Sequence, residues 1–127
     1  MVSLILLSHS PKIVEGIKDL AFEMGGDTNV IPIGGSKAGT LGADYDRILA
    51  AMNEAAAKGE VIVLADLGSA QLTGQMAQEA LPAALRERVF LSNAALVEGG
   101  VVAAVGIASG QSAEKTLAQL EEYTLPK

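Results

Sequence analysis

The chain has 127 residues, half of them apolar and only 3% aromatic, with a net charge of −6 at neutral pH, a single histidine and no cysteine. That length supports one domain with a real core and not two. The missing cysteines exclude disulfides and thiolate metal sites, the lone histidine argues against zinc, and the acidic balance argues against non-specific nucleic-acid binding.

The apolar run Leu4 to Leu7 makes a buried strand over Ser3–Leu7, closing on Ser8-His9-Ser10. Pro11 then opens an amphipathic pattern. Ser10 suits the N-cap and Pro11 the first helical position, where a missing N–H costs nothing. The helix runs from Pro11 to Met24, with Ile13, Ile17, Leu20, Ala21 and Met24 on one face, and Gly25-Gly26 stops it. A second strand covers Thr28–Ile33. Pro32 lies inside it and cannot donate to a ladder, which places this strand at a sheet edge. A glycine-rich loop, Gly34 to Gly42, follows and borders the carboxyl end of the sheet. The next helix, Asp44–Lys58, carries the stripe Ile48, Leu49, Met52 and Ala56.

The third strand, Val61–Ala65, is apolar on both faces and therefore central. It ends at Asp66-Leu67-Gly68-Ser69. A helix over Ser69–Ala80 is broken by Pro82, and a short helical piece runs on to Arg88. The fourth strand is Val89–Leu91. Residues 96–109 read as a buried helix or as a strand plus a turn; their length and small side chains favour the helix. Ser112 caps a last amphipathic helix through Leu117 and Leu120 to Tyr123. Met1-Val2-Ser3 lacks the basic start of a signal peptide, and residues 96–108 fall short of the roughly 20 needed to span a bilayer. The chain reads as cytoplasmic, with neither a membrane nor a nucleic acid as partner.

The order βαβαβαβα with short connections specifies an α/β fold: a single domain over residues 1–127, with a mainly parallel sheet in the order 2-1-3-4 and helices on both faces. Strands one and three are then neighbours, and the chain reverses direction between them. His9 and Asp66 end these two strands, at the topological switch point where α/β sheets bind ligands. Leu6, Ile13, Ile17 and Leu72 are expected in the core, unless those on a helix rim form a partner surface.

A carboxylate at a neighbouring strand end can hold one ring nitrogen and raise the basicity of the other. The alternative is that His9 is structural and Asp66 only caps a helix. A serine hydrolase using Ser8 or Ser10 is disfavoured, because adjacent residues seldom point at each other and no Gly-x-Ser-x-Gly elbow is present. A histidine phosphatase needs a second histidine or equivalent acid and an arginine clamp. A receiver domain wants an acidic pair where this chain has Ser8-His9. Gly34, Gly35, Gly39 and Gly42 match neither the P-loop nor the dinucleotide spacing. Reversible phosphorylation of His9 suits the position best. The helix start beside it offers N–H groups and a positive dipole end, and Ser10, Gly35 and Ser69 are candidate phosphate contacts. Nε2 is the expected nucleophile, with Nδ1 held toward Asp66. No metal and no cofactor is called for.

The residues Leu7-Ser8-His9-Ser10 with Lys12-Ile13-Val14-Glu15-Gly16, Gly34-Gly35 through Leu41-Gly42, Asp46-Arg47-Ile48, Asp66-Leu67-Gly68-Ser69-Ala70 and Asn93-Ala94-Ala95-Leu96-Val97-Glu98-Gly99 together resemble one family. It is the EIIA domain of the mannose-type phosphotransferase system, and more closely its branch of phosphotransferase subunits of PEP-dependent dihydroxyacetone kinase (the DhaM type). The resemblance covers nearly the whole chain. It implies a phosphotransferase in which His9 accepts phosphate from phosphohistidine HPr and passes it to ADP on the nucleotide-binding kinase subunit, with Asp66 orienting the imidazole. It also implies a homodimer. The alternatives within the same fold are a EIIA component passing phosphate to a IIB protein of a sugar transporter, or a non-catalytic regulatory domain. Some relatives continue into HPr-like and enzyme-I-like domains, so a stand-alone subunit and a piece of a longer protein both fit a sequence running to Lys127. The loop Ser36-Lys37-Ala38-Gly39-Thr40 departs from the pattern, being less acidic than the family would suggest.

Overall fold

The computed structural model describes residues 2–25, 29–36 and 42–125. Strands β1 (Val2–Ser8), β2 (Val30–Gly34), β3 (Glu60–Ala65) and β4 (Val89–Ser92) are joined by helices α1 (Pro11–Glu23), α2 (Tyr45–Lys58), α3 (Gly68–Glu79) and the four-residue α4 (Ala83–Arg86). Helices α5 (Leu96–Ala108) and α6 (Ala113–Leu120) follow, then a 3-10 turn over Glu121–Tyr123. The sheet order is β2-β1-β3-β4, as expected, and every pair is parallel. Pro32 sits opposite Leu6 on the edge strand β2, where its missing donor leaves no neighbour unpaired.

Alternation along the strands sends side chains into two cores. Leu4, Leu6, Ile62 and Leu64 pack with Val14, Ile17 and Ala21 of α1, Ala103, Ala104 and Ile107 of α5 and Leu120 of α6. Ile5, Leu7, Val61, Val63 and Ala65 face the other way, onto Ile48, Met52 and Ala56 of α2 and Ala70 and Ala77 of α3. The inner strands are thus covered on both faces, which is why their sequences are continuous apolar runs rather than alternating ones.

Two expected core residues lie outside. On α1 the buried stripe is Val14, Ile17 and Ala21, while Ile13 is 46% exposed and Leu20 and Met24 are also exposed. The apolar residues of this helix can be grouped into two overlapping stripes, and packing chooses between them. A Cβ built on Gly34 would lie 2.7 Å from Val14 Cγ2, 2.6 Å from the Ser10 carbonyl oxygen and 2.7 Å from Pro11 Cα. The bare backbone of β2 therefore draws the start of α1 onto the sheet with Val14 inward. On α3 the buried residues are Ala70, Gln71, Gly74 and Ala77. Ala70, Gly74 and Ala77 are small and let the helix lie close to the sheet, and Leu72 is 56% exposed.

Of residues 96–109, whose length and small side chains favour a helix over a strand, Leu96–Ala108 form α5. Its Gly99 and Gly100 lie against Ala94 and Ile17, each 3.0 Å from where a Cβ would stand. Asp44 and Ser112 cap α2 and α6 by accepting from the N–H groups of Arg47 and Lys115. Ser10 occupies the N-cap of α1 in extended conformation, but its hydroxyl makes no capping bond; Pro11 at the first position leaves one fewer N–H to cap. Residues 123–125 lie beside the β4–α5 connection, through a bridge between Ala94 and Thr124 and the bonds Ala95 N–H to Tyr123 O and Leu125 N–H to Asn93 O. Thr28, the expected start of the second strand, and residues 37–41 of the glycine-rich loop lie outside the described residues. No helix among the described residues is long and apolar enough to cross a membrane.

The close approach at Gly34 has a measurable consequence. Gly34→Ala is expected to cost about 1–3 kcal/mol by overpacking, seen as a lower urea midpoint. Gly16→Ala, in the exposed middle of α1 with nothing within 4 Å of the added carbon, is expected to stabilise by about 0.5–1 kcal/mol. A tolerated Gly34→Ala would contradict the packing role given to that glycine.

Candidate functional site

The site is built where β1 and β3 end side by side. Leu7 pairs with Ala65, and Asp66 continues that register by donating its N–H to the Leu7 carbonyl at 3.0 Å. Its carboxylate then turns back toward β1. Oδ2 accepts from the Ser8 hydroxyl at 2.8 Å and from the His9 N–H at 3.0 Å. Oδ1 accepts from the Leu67 N–H at 2.7 Å and lies 3.1 Å from His9 Nδ1. The other ring nitrogen, Nε2, lies 2.6 Å from the Ser69 hydroxyl oxygen, in the first turn of α3. The His9 side chain is 26% exposed and that of Asp66 16%.

These distances decide the tautomer. Burial of the Asp66 carboxyl raises its pKa, but the Ser8 hydroxyl, the N–H groups of His9 and Leu67 and the His9 ring outweigh this and hold it below the ordinary carboxylate value. Asp66 is therefore ionised at neutral pH and can only accept. The proton of neutral His9 must then sit on Nδ1, donating to Asp66, so the lone pair is on Nε2. The Ser69 hydroxyl, facing that lone pair, donates to it.

His9 and Asp66, expected together from the strand ends, are brought into direct contact, and Ser69 joins them. Ser10 and Gly35 stand on the other side of the turn. The Ser10 N–H donates to Ser8 Oγ at 3.0 Å. The Gly35 N–H donates to the Ser8 carbonyl at 3.1 Å, with the left-handed φ of +74° that favours glycine. Gly42 donates its N–H to the His9 carbonyl at 2.9 Å, so both described ends of the glycine-rich loop are tied to the Ser8-His9 turn. Two residues have roles that the sequence does not reveal. Ser8, a candidate nucleophile by sequence, instead braces Asp66 with its hydroxyl. Arg47, 13 residues from Gly34, donates to the Gly34 carbonyl at 3.3 Å and so brings a cation one strand away from His9, where no arginine was visible along the chain. Among the described residues no group of three or more His, Cys, Asp or Glu could hold a metal ion.

Fold and site together define a class: parallel α/β domains that present a carboxylate-oriented histidine, lone pair outward, at the switch point of the sheet. Comparison with known proteins gives the particular family. Residues 3–117 match the model of the EIIA-man family, described as PTS system fructose IIA component. The chain is 36% identical over 121 residues to the PEP-dependent dihydroxyacetone kinase 2 phosphoryl donor subunit DhaM of Listeria innocua, covering 94% of this chain and 97% of that one. It is 33% identical to the corresponding DhaM subunit of Klebsiella michiganensis, covering 92% of this chain but only 26% of that longer protein. A crystal structure of a protein of unknown function superposes with a TM-score of 0.86 at 30% identity, covering 98% of this chain and 96% of the other. The chain belongs to the EIIA-man family, and the resemblance carried by its motifs is borne out.

The acid side of the stability profile reports on the Asp66 cluster. A carboxyl with a depressed folded pKa contributes stability that is complete above its unfolded value, about 3.9, and lost as pH falls through the folded one. The difference in urea midpoint between the protein and Asp66→Asn is expected to close as pH falls below about 4. A difference that persists unchanged at pH 2 would show that the bonds to Asp66 do not depend on its charge.

Proposed function

We propose that the chain is a cytoplasmic phosphoryl carrier of the dihydroxyacetone kinase system, taking a phosphoryl group from phosphohistidine HPr onto His9 Nε2 and passing it to ADP held on the nucleotide-binding kinase subunit. The single observation that carries this reading is the Asp66–His9 contact, which keeps the proton on Nδ1 and leaves the Nε2 lone pair for attack. In the first transfer the Nε2–P bond forms as the donor's N–P bond breaks, and the donor imidazole keeps the electron pair. In the second, a terminal phosphate oxygen of ADP attacks phosphorus and the pair returns to Nε2. Nδ1 stays protonated throughout, and Asp66 offsets the positive charge that the ring carries while phosphorylated.

The surroundings suit a transient phosphate. Helix α1 begins two residues after His9 and α3 begins one residue before Ser69, whose hydroxyl touches Nε2, so the positive dipole ends of both helices lie close to the group on Nε2. The Ser69 hydroxyl can swing from Nε2 to a phosphoryl oxygen. It does not compete as an acceptor, because phosphoryl transfer needs attacking and leaving atoms in line, and an oxygen 2.6 Å from Nε2 lies beside the N–P bond rather than opposite it. The family description, a IIA component of a sugar phosphotransferase system, favours as second reading a transporter IIB protein as acceptor. The homodimer belongs to the proposal too; sedimentation equilibrium at twice the chain mass is the expected result.

The test is transfer itself. With phosphoenolpyruvate, enzyme I and HPr, intact mass is expected to rise by one acid-labile phosphoryl group, absent in His9→Ala, with NMR of the phosphohistidine reporting an Nε2 adduct. Asp66→Asn is expected to slow loading by about 100-fold or more, as a mis-set tautomer does. Adding the kinase subunit with ADP, or a IIB protein, then separates the two acceptors. No adduct from active HPr, or an Nδ1 adduct, overturns the assignment.

A further inference from the structure

The three side chains at this edge form a second, recognisable arrangement. Asp66 Oδ1 stands 3.1 Å from His9 Nδ1, and His9 Nε2 stands 2.6 Å from Ser69 Oγ. An ionised carboxylate orients a neutral imidazole, and the imidazole accepts a hydroxyl proton: this is the relation of orienter, base and nucleophile in a serine-dependent hydrolase, which is identified by geometry and roles rather than by fold or chain order. The sequence offers Ser8 and Ser10 for this part, but the Ser8 hydroxyl donates to Asp66 and the Ser10 hydroxyl makes no hydrogen bond to the His9 ring. Ser69 comes from the neighbouring strand's helix, 60 residues away.

Two further features fit. Gly68 and Ser69 are the first residues of the 12-residue α3. Their N–H groups are among those that find no acceptor within the helix, and they are the nearest backbone donors in the chain to an oxyanion formed at Ser69. The site is also open, since the Nε2···Ser69 bond is solvent-exposed, and a small reagent can reach Oγ without displacing any element.

We propose that the unphosphorylated protein carries a serine-nucleophile activity at Ser69, with His9 as general base and Asp66 as orienter, directed at small activated acyl and phosphonyl esters. In the acyl reaction Ser69 Oγ bonds to the carbonyl carbon and its proton moves to Nε2. The carbon–oxygen bond to the alcohol breaks and Nε2 returns the proton to the leaving alkoxide. Water then cleaves the acyl-serine by the same route in reverse, so that ester and water give acid and alcohol. With a phosphonyl or phosphoryl fluoride the Oγ–P bond forms as the hydroxyl proton moves to Nε2, the P–F bond breaks and fluoride leaves, Nε2 gives its proton up to water, and the product is stable. Phosphorylation of His9 occupies Nε2 and abolishes the base. The carrier and the nucleophile are thus alternative states of one site: the charged form transfers phosphate, and the empty form exposes an activated serine. The inference uses the same three side chains as the carrier reading but depends on neither its donor nor its acceptor.

Diisopropyl fluorophosphate is the probe, with peptide mass mapping as the readout. The expected result is one adduct on Ser69, absent in Ser69→Ala and formed about 100-fold more slowly in His9→Gln, at the lower end of what a positioned general base contributes. Prior phosphorylation of the unmodified protein with phosphoramidate, which needs no partner protein and no substitution, is expected to block labelling until acid or hydroxylamine restores it. No adduct on Ser69, or an equal labelling rate in His9→Gln or in the phosphorylated protein, overturns the proposal. A failure of HPr to load His9 would instead strike at the carrier reading and leave Ser69 labelling as it is.

Discussion

The carboxylate of Asp66 is where the end of one strand is tied to the end of the next. Four donors converge on it: the Ser8 hydroxyl, the His9 and Leu67 N–H groups, and the His9 ring. Three of the four come from Ser8 and His9, where β1 ends and the turn begins, so one side chain just past β3 holds that turn's shape and its histidine together. Each such bond to a charged acceptor is worth about 1.5–3 kcal/mol when made and more when its partner is lost. The clamp also supplies an electrical instruction. Because the carboxylate is ionised, the imidazole must donate to it, and the lone pair must face outward. Orientation and protonation state follow from the same contact, and both the phosphoryl chemistry and the serine activation proposed for this site depend on it.

The clamp works only because the sheet places β1 and β3 in register at this edge. That placement follows from the crossover order: α1 carries the chain to β2 on one side of β1, and α2 brings it back to β3 on the other. Missing side chains then let the helices approach. Gly34 admits the Ser10–Pro11 junction, Gly74 admits Leu7 and Leu91, and Gly99 and Gly100 admit Ala94 and Ile17. In a protein with few aromatic residues the core is closed by bringing backbones near to one another rather than by filling wide gaps. A consequence is that larger apolar residues on the same helices, such as Ile13 and Leu72, remain outside.

The two candidate roles of Ser69 follow from where α3 begins. Its hydroxyl stands beside the ring nitrogen, so it can donate to that nitrogen when the site is empty and to a phosphoryl oxygen when it is loaded. It is badly placed to receive the phosphoryl group by in-line attack, which protects the carrier from trapping its own cargo as a phosphoserine. It is well placed to lose a proton to Nε2. A single distance thus separates what this serine can do in each state.

Much of this was legible along the chain. Pro32 named the edge strand, the continuous apolar run Val61–Ala65 named a central one, and the strand-to-helix turn at Ser8-His9-Ser10-Pro11 marked the position of His9 at the switch point. These are local properties, set by backbone sterics, missing donors and side-chain periodicity, and a sequence records them directly. What only the tertiary structure decided is which groups meet. Strand order alone brings Asp66 to the Nδ1 side of His9, but nothing in a spacing of 60 residues makes Ser69 the partner of Nε2, nor sends Ser8 rather than Ser10 to brace the carboxylate. The stripe that α1 buries was equally undetermined, because overlapping apolar stripes satisfy the helical period and only the bare backbone of Gly34 selects the one containing Val14. Periodicity along a chain specifies faces; the contacts between faces depend on shape and on the close approach of distant backbones, which appear only once the sheet has formed.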